Sequence, residues 1–134
     1  MAQATNVEIV KRALDAFNRQ DLDAYDELFT SDFAGFPSMA GIVEGDGYRG
    51  RDGFETFLVG VRDTWDEFRV LAEEFRAIGG RVLVLCRIAG RARSTGVRVD
   101  ALGAMLFEFR AGKISRAHDY LDRSEAMRAA WLDE

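Results

Sequence analysis

The chain is poor in the residues that build cross-links and metal centres. Among 134 residues there is one cysteine, one histidine and one proline. A lone Cys86 excludes an internal disulfide and fits a reducing, cytoplasmic setting. A lone His118 removes most zinc, copper and non-haem iron sites, which take two or more imidazoles. The reading therefore includes no metal and no cofactor. Positive charge is also in deficit, with 18 Lys+Arg against 23 Asp+Glu and a net charge of -5. That balance argues against nucleic acid as a partner, because phosphate binding draws on lysine and arginine. Uncharged runs are short and broken by glycine, so no segment is expected to span a membrane. Residues 1–6 (MAQATN) show neither the charged start nor the apolar core of a secretory signal.

What is present suits one globular domain over residues 1–134. Hydrophobic residues make up 48% and charged residues 31%, and at this length about two-thirds of the unfolded surface can be buried. Thr5 with Glu8 spells a capping box. Val7, Val10, Leu14 and Phe17 follow at helical spacing, with Ile9, Ala13 and Ala16 widening the stripe. Asp21 is read as the cap of a shorter helix carrying Leu22, Tyr25, Leu28 and Phe29, stopped by Ser31 and Asp32. Residues 33–50 hold the only proline and five glycines, which predicts a short extended piece and a long loop. A third helix is expected from Asp52, boxed by Glu55, with Phe54, Phe57, Leu58, Val61 and Trp65 as its stripe.

The pattern then turns to strands near 67–78, 81–93, 97–110 and 113–121. They are joined by Gly79-Gly80, Ser94-Thr95-Gly96 and Ala111-Gly112, short links that make antiparallel hairpins. A final helix near 123–132 has Asp122 and Glu125 as its box. Helices followed by an antiparallel meander define an α+β fold, not a doubly wound sheet. Strand 81–93 places Val82, Val84, Cys86 and Ile88 on one face and Leu83 and Leu85 on the other. Strand 97–110 likewise places Ala101, Gly103, Met105 and Phe107 opposite Leu102, Ala104 and Leu106. Both faces need cover, and a homodimer is the expected way to supply it on the second.

Three stretches, IVKRALDAFNRQDLDAYDELFTSDF, YRGRDGFETFL and FEFRAGKISRAHDYLD, together resemble the SnoaL-like branch of the nuclear transport factor 2-like superfamily. The resemblance covers nearly the whole chain. It implies a cystatin-like cone, with N-terminal helices packed on a curved antiparallel sheet around an apolar pocket. Polyketide cyclases, ketosteroid isomerases, limonene epoxide hydrolases and dehydratases share that fold, so function has to be argued from the site.

Carried over position by position, most of the known catalytic sets are missing. Where steroid isomerases have a tyrosine, an aspartate base and a protonated aspartate, this chain has Ala13, Phe36 or Pro37, and Met105. Where epoxide hydrolases hold water with tyrosine and asparagine, it has Phe33 and Gly35, and LCRIAG lacks their middle-strand aspartate. The last-strand aspartate of the cyclases is matched by Asp119, within Ala117-His118-Asp119.

Asp119 is thus the catalytic candidate. By alternation it shares a face with Ala117 and Leu121, which aims its carboxyl into an apolar cavity. Burial there disfavours the anion and suits proton transfer near neutral pH. The competing reading pairs it with an arginine or with backbone N–H groups. His118 points the other way, beside Tyr120, and is read as an interface side chain. Gly45-Asp46-Gly47-Tyr48-Arg49-Gly50 spells the dinucleotide fingerprint but lacks its parallel βαβ setting, and is read as a loop.

Tyr25, Phe33, Tyr48, Phe57, Trp65, Gly103, Met105 and Ala117 are the expected substrate-contacting residues, although residues like Trp65, Tyr25, Phe33 and Phe57 are more often simple core than ligand contact. Arg87, Arg91 and Arg93, with Arg98 and Asp100, read as a solvated or interfacial charge ladder, and Cys86 as inert and buried. The sequence leaves three functions open: an acid/base enzyme using Asp119, a carrier for a small hydrophobic molecule, or a scaffold whose pocket its own side chains fill.

Overall fold

The structure is a computed structural model that describes residues 5–37 and 47–132. Helix α1 (Asn6–Asn18) opens with the expected box: the Thr5 hydroxyl accepts from the Glu8 N–H, and the Glu8 carboxylate accepts from the Thr5 N–H. A 3-10 turn (Leu22–Ala24) follows, capped by Asp21, and runs into α2 (Tyr25–Leu28). Chain β1 (Phe29–Phe36) begins there. The expected helix end at Ser31 and Asp32 is therefore corrected. Both are exposed strand residues, while Phe29, Phe33 and Ala34 are buried in the sheet.

Strand β2 (Tyr48–Arg49) leads into α3 (Gly50–Thr64). This helix starts two residues before the predicted Asp52 and has no side-chain cap. Gly50 takes a φ of 69°, which turns the chain early and leaves Asp52 inside the first turn, where the helix dipole favours a carboxylate. Gly45 and Asp46 of the fingerprint lie outside the described residues. Its remainder forms a two-residue strand antiparallel to β1, which is not the parallel setting a dinucleotide needs.

Strands β3 (Trp65–Ile78), β4 (Arg81–Ala92), β5 (Arg98–Arg110) and β6 (Lys113–Tyr120) form the predicted antiparallel meander. Gly79 and Gly80 make the first hairpin with φ of 56° and 81°, as a two-residue turn matched to strand twist requires. The sheet is larger than the meander, with the order β2-β1-β6-β5-β4-β3. Strand β1 joins β6 in parallel, pairing Gly35 with Ala117 and Phe36 with His118. A parallel pair so distant in sequence leaves no hairpin signal. Helix α4 (Arg123–Leu132) closes the described chain, with Asp122 accepting from the Ser124 N–H at 2.8 Å.

The alternation read in β4 and β5 divides the core in two. Val82, Val84, Cys86 and Phe107 pack with Val10, Leu14, Phe54 and Leu58 of α1 and α3. On the opposite face, Leu83, Leu85, Ala104 and Leu106 pack under Ala126 and Ala130 of α4. Cover for the second face thus comes partly from the chain's own last helix. Arg123 anchors that helix: its guanidinium donates to the carbonyls of Gly103 and Cys86 and to Glu73. The uncovered part of the face carries Leu71 and Leu102, which are 40% and 46% exposed.

Candidate functional site

A cavity opens between the inner face of the curved sheet and helices α1 and α3. Its wall is aromatic, with Phe17 of α1, Phe29 and Phe33 of β1, Phe54 and Phe57 of α3, and Phe68 of β3. Met105 and Ala117 reach it from β5 and β6. Among the described residues, two of its lining side chains are polar, Tyr48 and Asp119. The space open to the centre of a water-sized sphere is about 60 Å³. That is enough for several waters but well below the several hundred Å³ of drug-sized ligand pockets.

Asp119 reaches the cavity from β6 as alternation requires, opposite Met105 in the β5–β6 ladder. Its charge is felt by the buried Cys86 and the half-buried Tyr48. The Cys86 thiol is pushed up to about 12, first by burial and then by Asp119, which makes it a weak nucleophile. The Tyr48 phenol is pushed well above its ordinary value by burial first, then by Asp119 and Tyr25. Tyr48 is held by stacking on Phe57, ring centres 4.9 Å apart and 12° from parallel. It also contacts Phe33 and Phe54.

The expected site residues divide between the cavity and its surroundings. Phe33, Tyr48, Phe57, Met105, Ala117 and Asp119 line it together. Tyr25 stands behind the wall. Its ring stacks on Phe29 at 5.0 Å, and its hydroxyl donates to the Thr30 carbonyl at 2.9 Å. Burial, then the Asp26 charge, raises that phenol to about 12. Trp65 packs on Phe68 and borders a separate surface depression with Asn18, Arg62 and Arg93. Gly103 contributes a carbonyl to Arg123 rather than a wall to the cavity.

His118 points to the opposite side of the sheet from Asp119. It stacks between Phe36 at 5.4 Å and Tyr120 at 4.6 Å. Burial, then the Arg116 charge, holds its imidazole below the ordinary value, against a weaker pull from Glu108. The arginine ladder is exposed and paired: Arg87 with Asp100 at 2.8 Å, Arg91 with Asp66 at 2.9 Å, and Arg93 with Asp66 at 3.3 Å.

Two of the lining residues that sequence reasoning assigned to core alone, Phe17 and Phe54, sit on the inward stripes of α1 and α3. The signal for them was the concentration of ten phenylalanines in a chain of this length. The positions aligned with the steroid isomerase set, Ala13, Phe36, Pro37 and Met105, also belong to the lining.

Residues 10–117 match the SnoaL-like domain family, and the chain belongs to it. No functionally curated protein matches the sequence. Among solved structures, a nuclear transport factor 2-like protein of unknown function from Burkholderia pseudomallei K96243 is 22% identical. It superposes with a TM-score of 0.77, covering 96% of this chain and 99% of its own. A Xanthomonas campestris pv. campestris protein with a provisional polyketide cyclase name is 25% identical, with a TM-score of 0.74 over 89% of this chain and 91% of its own. TerC, co-crystallised with polyporic acid, is 21% identical, with a TM-score of 0.77 over 93% and 97% of the two chains. These similarities establish the cone-shaped α+β fold.

Proposed function

We propose that this protein binds a small, mostly apolar molecule in the cavity and moves a proton on it with Asp119. The observation that carries this reading is the lining itself: one carboxylate and one phenol grouped within an otherwise hydrocarbon wall. Such a wall binds through apolar contact, and a few convergent polar groups set orientation. A carboxylate in that setting is a general base toward an acidic C–H or O–H, and its conjugate acid returns the proton elsewhere on the same molecule. Net isomerisation, cyclisation or dehydration follows from where the proton leaves and returns. TerC's co-crystallisation with polyporic acid supports a small-molecule ligand. The about 60 Å³ available favours a compact ligand, and a larger one has to part the phenylalanine rings.

A second reading is a carrier without chemistry, and one observation favours it. Ala13, Phe36, Pro37 and Met105 put apolar side chains in the cavity wall at the positions that the resemblance matches to the steroid isomerases' catalytic set. The two readings separate in one experiment. Small aromatic ketones and hydroxyquinones are screened for binding and for turnover with wild type and Asp119→Asn. An enzyme turns one of them over, and the asparagine variant loses about 10²-fold or more while still binding. A carrier binds equally in both proteins and forms no product. A self-filled scaffold domain binds none of them. In each reading the chain is taken as a homodimer through the part of the outer sheet that α4 leaves open.

A further inference from the structure

Tyr48 stands on β2 at the edge of the sheet, yet its phenol lies over the neighbouring strand. Its partner across the β1–β2 ladder is Gly35. A Cβ at Gly35 would fall 2.4 Å from Tyr48 Cζ and 2.6 Å from its hydroxyl oxygen. The phenol therefore fills the place a side chain would take. On its other side Gly35 pairs with Ala117 of β6, and Asp119 is the next residue on that face. The hydroxyl end of Tyr48 thus crosses β1 at its one side-chain-free position, toward the strand that carries the carboxylate. Both side chains line the one cavity, and the Phe57 stack fixes the plane of the ring. The Asp119 charge is the second cause, after burial, of the raised Tyr48 phenol, in keeping with that geometry.

We propose that Tyr48 is a positioning residue for Asp119, donating its hydroxyl to the carboxylate across the gap left by Gly35. A carboxylate has two oxygens, and a bond from Tyr48 to one fixes the group and leaves the other for the ligand. An ionised carboxylate only accepts, so the matching ligand offers a donor at its polar end: an enol, a phenol or an acidic C–H beside a carbonyl. As a part in proton transfer this rests on the acid/base reading of Asp119. The pairing itself can be observed without any substrate.

The test labels tyrosine ζ-carbons and aspartate carboxyl carbons with ¹³C and follows both by NMR as the protein is titrated through the carboxyl range. In wild type the Tyr48 ζ-carbon is expected to shift with the same midpoint as the Asp119 carboxyl, and in Asp119→Asn that response disappears. Tyr48→Phe removes a donor to the charged form, so the Asp119 midpoint moves up. Gly35→Ala displaces the ring and moves it in the same direction. A Tyr48 signal that stays flat through the Asp119 titration of the wild-type protein overturns the pairing, as does an unmoved midpoint in a folded Tyr48→Phe. If the signals are coupled but no ketone or hydroxyquinone is turned over, the pairing stands and the acid/base reading fails.

Discussion

Met105 and Asp119 are register partners across the β5–β6 ladder, and both side chains line the same cavity. The thioether thus stands beside the carboxylate of the described lining. Its size limits the room near Asp119, since methionine fills irregular gaps by bending its flexible chain. Met105→Ala is expected to destabilise the fold by about 2 kcal/mol, the low end for methionine truncation because the residue is only partly buried. It should also enlarge the cavity and tighten binding of bulkier aromatic ligands. Urea denaturation reads the first effect and ligand titration the second. A variant that binds bulky ligands no better than wild type shows that Met105 does not set the size limit.

Tyr25 tests the division between wall and support. Its hydroxyl is a donor to the Thr30 carbonyl within the core, and its ring backs Phe29 and Phe54 without lining the cavity. Tyr25→Phe keeps the ring and removes the donor, leaving a buried carbonyl short of one partner. The expected cost is about 1–2 kcal/mol of stability, with ligand affinity unchanged. A loss of affinity larger than the loss of stability would return Tyr25 to the binding surface.

The fold was legible from periodicity because both signals it needs are local. The capping box at Thr5 and the three hairpin links each lie within a few residues, and they gave α1 and the β3–β6 meander. Strand β1 was harder: Ser31 and Asp32 look like helix stops, and they lie in a register irregularity between the Phe29 and Ala34 pairings with β6, which is far along the chain. Alternation placed Asp119 and His118 on opposite faces from sequence alone. It could not separate Phe33 and Phe57, which line the cavity, from Tyr25, which stands behind it. That difference lies in how α1 and α3 tilt over the sheet, and helical spacing does not encode tilt. The role of Gly35 was equally hidden, because a missing side chain acquires meaning only when the Tyr48 ring is seen in its place.

His118 should make stability fall in mildly acidic solution. Its imidazole lies between the rings of Phe36 and Tyr120 and beside Arg116, and its folded pKa is held below the ordinary 6.5. The unfolded chain consequently takes up a proton before the folded one. The contribution is fully present above about pH 6.5 and is lost as pH falls from there through the folded value. His118→Phe preserves the stack and removes the proton site. Thermal unfolding of wild type and variant across this window should show the wild type losing more stability on acidification. Parallel curves would mean that other groups carry the acid dependence.

The outer face of the sheet offers the last prediction. Leu71, Arg87 and Leu102 form one row across β3, β4 and β5, beyond the area that α4 covers. Two exposed leucines flank an arginine that is paired with Asp100 and Glu73 within the same chain. Such a row is self-complementary about a two-fold axis, because each leucine can meet its counterpart while the charges stay neutralised locally. The wild-type protein is expected to sediment as a dimer. Leu102→Glu puts an unpaired carboxylate beside Asp100 on both copies and should give a monomer. Since Leu102 is 46% exposed, the substitution should leave monomer stability within about 0.5 kcal/mol. A monomeric wild type at high concentration would remove the need for a second copy and leave α4 as the cover this face uses.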